Sequence, residues 1–219
     1  MINKHFVEVK RTARYFTLGE FSEKTKTVWF VLHGYAQTAD AFLESLQTLK
    51  TEDNIIIAPE GLSKFYWKDF TSNPVASWMT RLEREQEIKD SINYLNQVYQ
   101  TIFTDKNPDS FQINYLGFSQ GAPTLSRWLH LSKMKVDNIF FYAGEIGHDL
   151  DFNKNESPLT KGSKHFIYGE QDRFISKEKF AIFKNFMTQM NVEFKVFTFE
   201  GKHEIHTDAL AYIQTQIKQ

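Results

Sequence analysis

In the run Gly117-Phe118-Ser119-Gln120-Gly121 a serine stands between two glycines. An apolar strand pattern from Gln112 leads into it, and a helical pattern follows at once. A serine at the top of a sharp strand-to-helix turn projects its hydroxyl into the open. The glycines let the backbone turn there without Cβ clashes. The unpaired N–H groups and positive end of the following helix sit where an oxyanion would form. A nucleophilic serine needs that arrangement, but its hydroxyl is a poor nucleophile at neutral pH. It requires a histidine to take its proton and a carboxylate to fix the imidazole tautomer. Both residue types lie downstream, each after a strand pattern. Asp172 ends Gly169-Glu170-Gln171-Asp172, and His203 ends Gly201-Lys202-His203. Glu170, Asp149 and Asp151 are alternative carboxylates. His206 is an alternative base, although its place suits the opening of a helix. The chemistry these residues could perform is acyl transfer through a covalent intermediate on Ser119.

The elements that must hold these residues are legible as alternating patterns. Residues 27–32, 54–59, 112–116, 138–142, 165–169 and 193–199 read as strands, several of them continuous apolar runs expected of buried central strands. Residues 39–49, 81–104, 120–131, 176–190 and 206–217 read as helices, with Ser176 as an N-cap. Strands alternating with helices imply a mostly parallel sheet with helices on both faces, whose sites form at the carboxyl ends of the strands. Residues 6–9 and 14–18 both alternate, and an antiparallel hairpin at a sheet edge is expected there. Residues 60–80 read as an irregular aromatic loop. Its Trp67 and Trp78, with Phe174 further on, are candidates for walls of an acyl pocket.

The strand at 27–32 ends in His33-Gly34-Tyr35. Gly34 lets the chain turn so that the Tyr35 N–H faces the serine, and the Gln120 N–H is the second oxyanion donor. His33 precedes the nucleophile and is expected to pack and hydrogen-bond beneath this loop.

Composition narrows the class. A chain of 219 residues suits one domain, taken as residues 1–219. The net charge of −1 gives no general attraction to nucleic acid. Cysteine is absent, which excludes a thiol nucleophile, disulfides and thiolate metal sites. The remaining histidines, His5, His130, His148 and His165, lack metal-ligand spacing, so neither metal nor cofactor is expected. No run is long and apolar enough to span a membrane, and the first residues lack a signal-peptide pattern. A cytoplasmic location is expected, with a homodimer conceivable through an edge strand or exposed aromatics.

Six segments together resemble the phospholipase/carboxylesterase group of the α/β-hydrolase superfamily, which includes acyl-protein thioesterases. They are Leu32-His33-Gly34-Tyr35, Ala58-Pro59-Glu60-Gly61, Ser77-Trp78, Gly117-Phe118-Ser119-Gln120-Gly121-Ala122, Gly169-Glu170-Gln171-Asp172 and His203-Glu204-Ile205. The resemblance implies an α/β-hydrolase fold and a triad of Ser119, Asp172 and His203, with N–H donors from Tyr35 and Gln120. It implies hydrolysis of a small-molecule ester or thioester. Ala36 and Lys202 stand where such loops often carry glycine. Residues 145–162, with Phe152, match nothing in the family pattern and are expected to shape the acyl pocket.

Overall fold

The computed structural model describes residues 1–132, 134–151, 157–189 and 192–217. In chain order the strands and helices are β1 (Tyr15–Leu18), β2 (Thr27–Leu32), α1 (Ala39–Ser45), β3 (Asn54–Pro59), β4 (Ser63–Tyr66), β5 (Pro74–Ser77), α2 (Arg84–Ile102), β6 (Gln112–Phe118), α3 (Gly121–Leu131), β7 (Asn138–Tyr142), β8 (Ser163–Gly169), α4 (Lys177–Gln189), β9 (Lys195–Phe199) and α5 (Thr207–Ile217). Seven strands form one sheet in the order β1-β3-β2-β6-β7-β8-β9. All neighbours pair in parallel except β1 with β3.

The apolar strand runs are continuous because both faces of the sheet are covered. Val28, Phe30 and Leu32 of β2 join the core built with α2, α3 and α4. Trp29 and Val31 of the same strand face the core built with α1 and α5. Successive side chains of a strand point to opposite faces, so a strand roofed on both sides must be apolar at every position.

Two expectations change in detail. The N-terminal antiparallel pairing is present, but the partner of β1 is β3, with Tyr15 opposite Pro59 and Leu18 opposite Ile56. Residues 6–9 form no strand, and Phe6, Val7 and Val9 are exposed. A free two-stranded hairpin is marginal in water, whereas β3 is already fixed in the sheet and offers its open edge. Residues 60–80 are not irregular throughout. β4 and β5 form an antiparallel hairpin, with Ser63 opposite Ser77 and Tyr66 opposite Pro74. This hairpin reaches the loop after β2 through a bridge between Gln37 and Ala76.

Ser176 caps α4 as expected, its Oγ accepting from the Lys179 N–H at 3.3 Å. Residues 152–156, including Phe152, and the Met190 end of the expected fourth helix lie outside the described residues. No helix among the described residues is long and apolar enough to cross a membrane.

Candidate active site

Ser119 sits where β6 turns into α3 and adopts φ +51°, the left-handed region that side chains rarely occupy. The flanking glycines serve close approach rather than unusual dihedrals. A Cβ on Gly121 would stand 2.2 Å from the Leu32 carbonyl oxygen, and one on Gly117 would stand 2.6 Å from the Gly121 oxygen. The first turn of α3 thus lies directly on the backbone of β2 and β6. Gly121→Ala should cost about 3 kcal/mol, because the atoms it meets are backbone and cannot step aside. Gly201→Ala should cost less, since its Cβ would meet side-chain atoms, the Phe199 ring at 2.7 Å and the Glu204 carboxylate at 3.1 Å, rather than backbone. Urea unfolding of the two variants tests this, and equal midpoints would show that α3 is not docked on the strand backbone.

The imidazole of His203 bridges the serine and the acid. Its Nε2 lies 2.8 Å from Ser119 Oγ, and its Nδ1 lies 2.7 Å from Asp172 Oδ2. A carboxylate can only accept, so the neutral ring carries its proton on Nδ1 and turns Nε2 toward the serine hydroxyl. The Asp172 side chain is fully buried, and its Oδ1 accepts the Phe174 N–H at 2.8 Å. The loop after β8 and the loop after β9 are joined by backbone hydrogen bonds. The Glu170 N–H donates to the Phe199 carbonyl and the Gln171 N–H to the Gly201 carbonyl, both at 2.9 Å. Acid and histidine are therefore held in one register. The alternatives lie elsewhere: Glu170 accepts from Thr198, Asp149 pairs with Arg127, and His206 stacks on Phe199.

The loop after β2 presses against the elbow, for a Cβ on Gly34 would stand 3.2 Å from Ser119 Cβ. The N–H groups on either side of Tyr35 are engaged: Gly34 donates to Gln37 Oε1 at 2.7 Å and Ala36 to the Ala76 carbonyl at 3.0 Å. Among the described residues the N–H groups of Tyr35 and Gln120 donate to no protein acceptor. The Gln120 side chain is fixed, accepting from the Trp78 N–H at 3.0 Å and donating to the Met79 carbonyl at 2.9 Å. Of the two loop substitutions, Ala36 carries the strain, at φ +59°. Lys202 is accommodated without a left-handed backbone, its N–H donating to Glu204 at 3.0 Å.

His33 supports this loop from below, as its position in the chain implies. It is fully buried, with Nδ1 2.7 Å from the Gly34 carbonyl and Nε2 accepting the Gly61 N–H at 3.0 Å. One ring nitrogen donates and the other accepts, which specifies a neutral tautomer. Burial pushes its pKa down to about 4.

A cleft of about 660 Å³ opens at Ser119 and His203. Phe174 lines it, its ring edge-to-face with His203 at 4.7 Å. The other two candidates for its walls do not belong to it. Trp78 is 1% exposed, and its indole N–H donates to the His33 carbonyl at 2.8 Å. It is core, because the hairpin folds back over His33. Trp67 is exposed on the β4–β5 hairpin and sits edge-to-face against Tyr35 at 5.8 Å. Sequence reasoning missed Met79, Ile146, Ile175 and Ile182, and three cations, Arg84, Arg127 and Lys179. Only Arg127 left a trace in the sequence, as a charge inside the apolar run of α3. No group of three metal-ligating side chains converges among the described residues.

A serine elbow, a carboxylate and a histidine at the carboxyl ends of a mostly parallel, helix-covered sheet define an α/β-hydrolase. Within that class the chain belongs to the phospholipase/carboxylesterase family, whose model matches residues 16–219. It is accordingly a serine hydrolase of the esterase or thioesterase type. Similar solved structures include SOBER1 of Arabidopsis thaliana, with TM-score 0.70 and 17% identity over 89% of this chain and 98% of that one. A phospholipase/carboxylesterase from Dyadobacter fermentans gives 0.69 and 19%, over 95% and 97%. Acyl-protein thioesterase 2 of Zea mays gives 0.67 and 12%, over 94% and 98%. At these identities the likeness is one of fold. A comparison with curated protein sequences found no match.

Proposed function

We propose that the chain, acting as a single α/β-hydrolase domain, cleaves carboxylic esters of small or medium acyl chains through an acyl-enzyme on Ser119. The observation that carries this reading is the unbroken contact from Asp172 to His203 to Ser119, at 2.7 and 2.8 Å. His203 takes the hydroxyl proton as Ser119 attacks the carbonyl carbon. The tetrahedral oxyanion receives the N–H groups of Tyr35 and Gln120. His203 returns the proton to the leaving oxygen, and the acyl group stays on Ser119. Water, activated by the same imidazole, then releases the acid. Phe174, Ile175, Ile182, Met79 and Ile146 offer the cleft's apolar contacts for an acyl chain.

A second reading keeps the machinery and changes the leaving group to a thiol or a lysophospholipid alcohol. The acyl-protein thioesterase of Zea mays among the similar structures favours keeping it. A p-nitrophenyl ester series from two to twelve carbons, run beside matched thioesters, separates these readings. Intact-mass detection of one fluorophosphonate adduct should accompany turnover. A chain that neither turns over esters nor gains the adduct would instead be a ligand- or partner-binding member of its fold.

A further inference from the structure

The lining of the cleft is not electrically neutral, although the chain as a whole carries only −1. Arg84, Arg127 and Lys179 face it, against one carboxylate, Glu145, among the described lining residues. Each cation comes from a different helix: Arg84 opens α2, Arg127 lies in α3, and Lys179 lies in the first turn of α4. Sequence-distant charges of one sign brought to one cleft by three packed helices need an explanation.

The cations fall on two walls. On the first, the Arg127 side chain is 5% exposed, and its Nε and Nη2 grip Asp149, the latter at 2.6 Å. Its Nη1 donates to the Pro123 carbonyl at 3.2 Å. Arg84 lies 3.9 Å from the same Asp149 carboxylate and is 45% exposed. Two guanidinium groups share one carboxylate there, so the wall keeps a net positive charge. On the second wall Lys179 gives one N–H to the Phe174 carbonyl at 3.2 Å, beside the residue whose ring packs on His203. An ammonium has three donors, so two remain. Glu145 faces His148 at 3.0 Å. Met79, Ile146, Phe174, Ile175 and Ile182 also line the cleft. The lining thus combines apolar side chains with cationic ones.

We infer that this cleft takes esters that carry an anionic group, a carboxylate or a phosphate, a few methylenes from the scissile carbonyl. The inference rests on the serine hydrolase reading and adds the substrate class. A charge-assisted hydrogen bond to Arg or Lys fixes the anionic end, while the spacer packs on the apolar side chains of the lining and leaves the ester at Ser119. The chemistry is unchanged: the bond broken is the ester C–O, and the anionic group takes no part in it.

The test compares monomethyl adipate with methyl hexanoate, which differ only in a terminal carboxylate against a terminal methyl. A second pair, 2-phosphoethyl hexanoate and butyl hexanoate, places the anion on the alcohol side. Hydrolysis is followed by pH-stat at low and high salt. At least one anionic ester should exceed its neutral partner in kcat/KM by about tenfold at low salt, less at high salt. That ratio should fall below about twofold in R84Q/K179Q, and the single variants assign the wall. Binding of the same esters to S119A by ligand-observed NMR separates the two layers. Equal hydrolysis within both pairs keeps the hydrolase and overturns the anionic subsite. No hydrolysis, with tighter anionic binding to S119A that R84Q/K179Q removes, keeps the subsite and overturns the hydrolase. Neither hydrolysis nor an anionic preference in binding overturns both.

Discussion

Replacing Ser119 with alanine is expected to lower kcat by ~10⁴-fold or more and to abolish the fluorophosphonate adduct. Asp172→Asn should cost a similar factor for a different reason. The asparagine Oδ1 can still accept the Phe174 N–H, so the loop after β8 keeps its shape. Its amide, however, presents N–H donors toward His203 Nδ1. The imidazole is then driven to the tautomer with its proton on Nε2, and Ser119 loses its base. In the proposed mechanism the three residues act as one relay, so the Ser119→Ala/Asp172→Asn double variant should be no slower than the worse single variant. Thermal melting serves as the control, since both variants should stay folded. An Asp172→Asn protein that melts like wild type and retains more than about a tenth of its kcat would remove Asp172 from the orienting role.

Acid should destabilise this fold well before its carboxylates protonate. His33 is fully buried and His165 is 1% exposed. Burial pushes the pKa of each ring down to about 4, with Lys195 adding to the shift of His165. An unfolded histidine takes up its proton near 6.5. Above that pH both rings are neutral in both states and add no pH dependence. Between about 6.5 and 4 only the unfolded chain binds the proton, so stability falls as pH falls. At pH 5 each ring accounts for a loss of about 2 kcal/mol. The contacts give the same sign. Protonating His33 would set an N–H of the ring against the Gly61 N–H now bonded to it at 3.0 Å. Glu60 adds its own loss mainly below about 4.5, where the unfolded carboxyl takes up a proton. Burial alone would raise its pKa, but Arg14 and Lys64 outweigh that and hold it at about 2. Urea midpoints at pH 7 and pH 5 should differ by an amount worth about 4 kcal/mol. His165→Phe, which can keep the stacking on Phe140, should remove about half of the difference. Midpoints that stay level from pH 7 to 5 would show that the folded rings protonate normally.

The sequence by itself determined the alternation of strands and helices and the order serine, acid, histidine. It also marked the loop after β2, which presses on the elbow. These features are local. A strand buried on both faces has to be an unbroken apolar run, as residues 27–32 and 54–59 are. A backbone that must touch another backbone has to be glycine, as Gly117 and Gly121 are. The glycine contacts explain why so short a motif marks a turn.

What the tertiary structure decided depends on residues far apart in the chain. Residues 6–9 and 14–18 alternate alike, yet only the second pair of faces finds an open strand edge, at β3. Trp67 and Trp78 belong to the same aromatic stretch, and the β4–β5 hairpin leaves one in solvent and buries the other against His33. Asp172 and Glu170 are two residues apart on one loop, and the direction of that loop's turn sends only Asp172 to His203. The cations of the cleft were the least legible. Arg84 reads as part of a solvated helix face, and no pattern ties it to Arg127 or Lys179, because periodicity reports which face of a helix is buried and not which other helices share its surroundings. Their convergence is a product of packing α2, α3 and α4 on one face of the sheet.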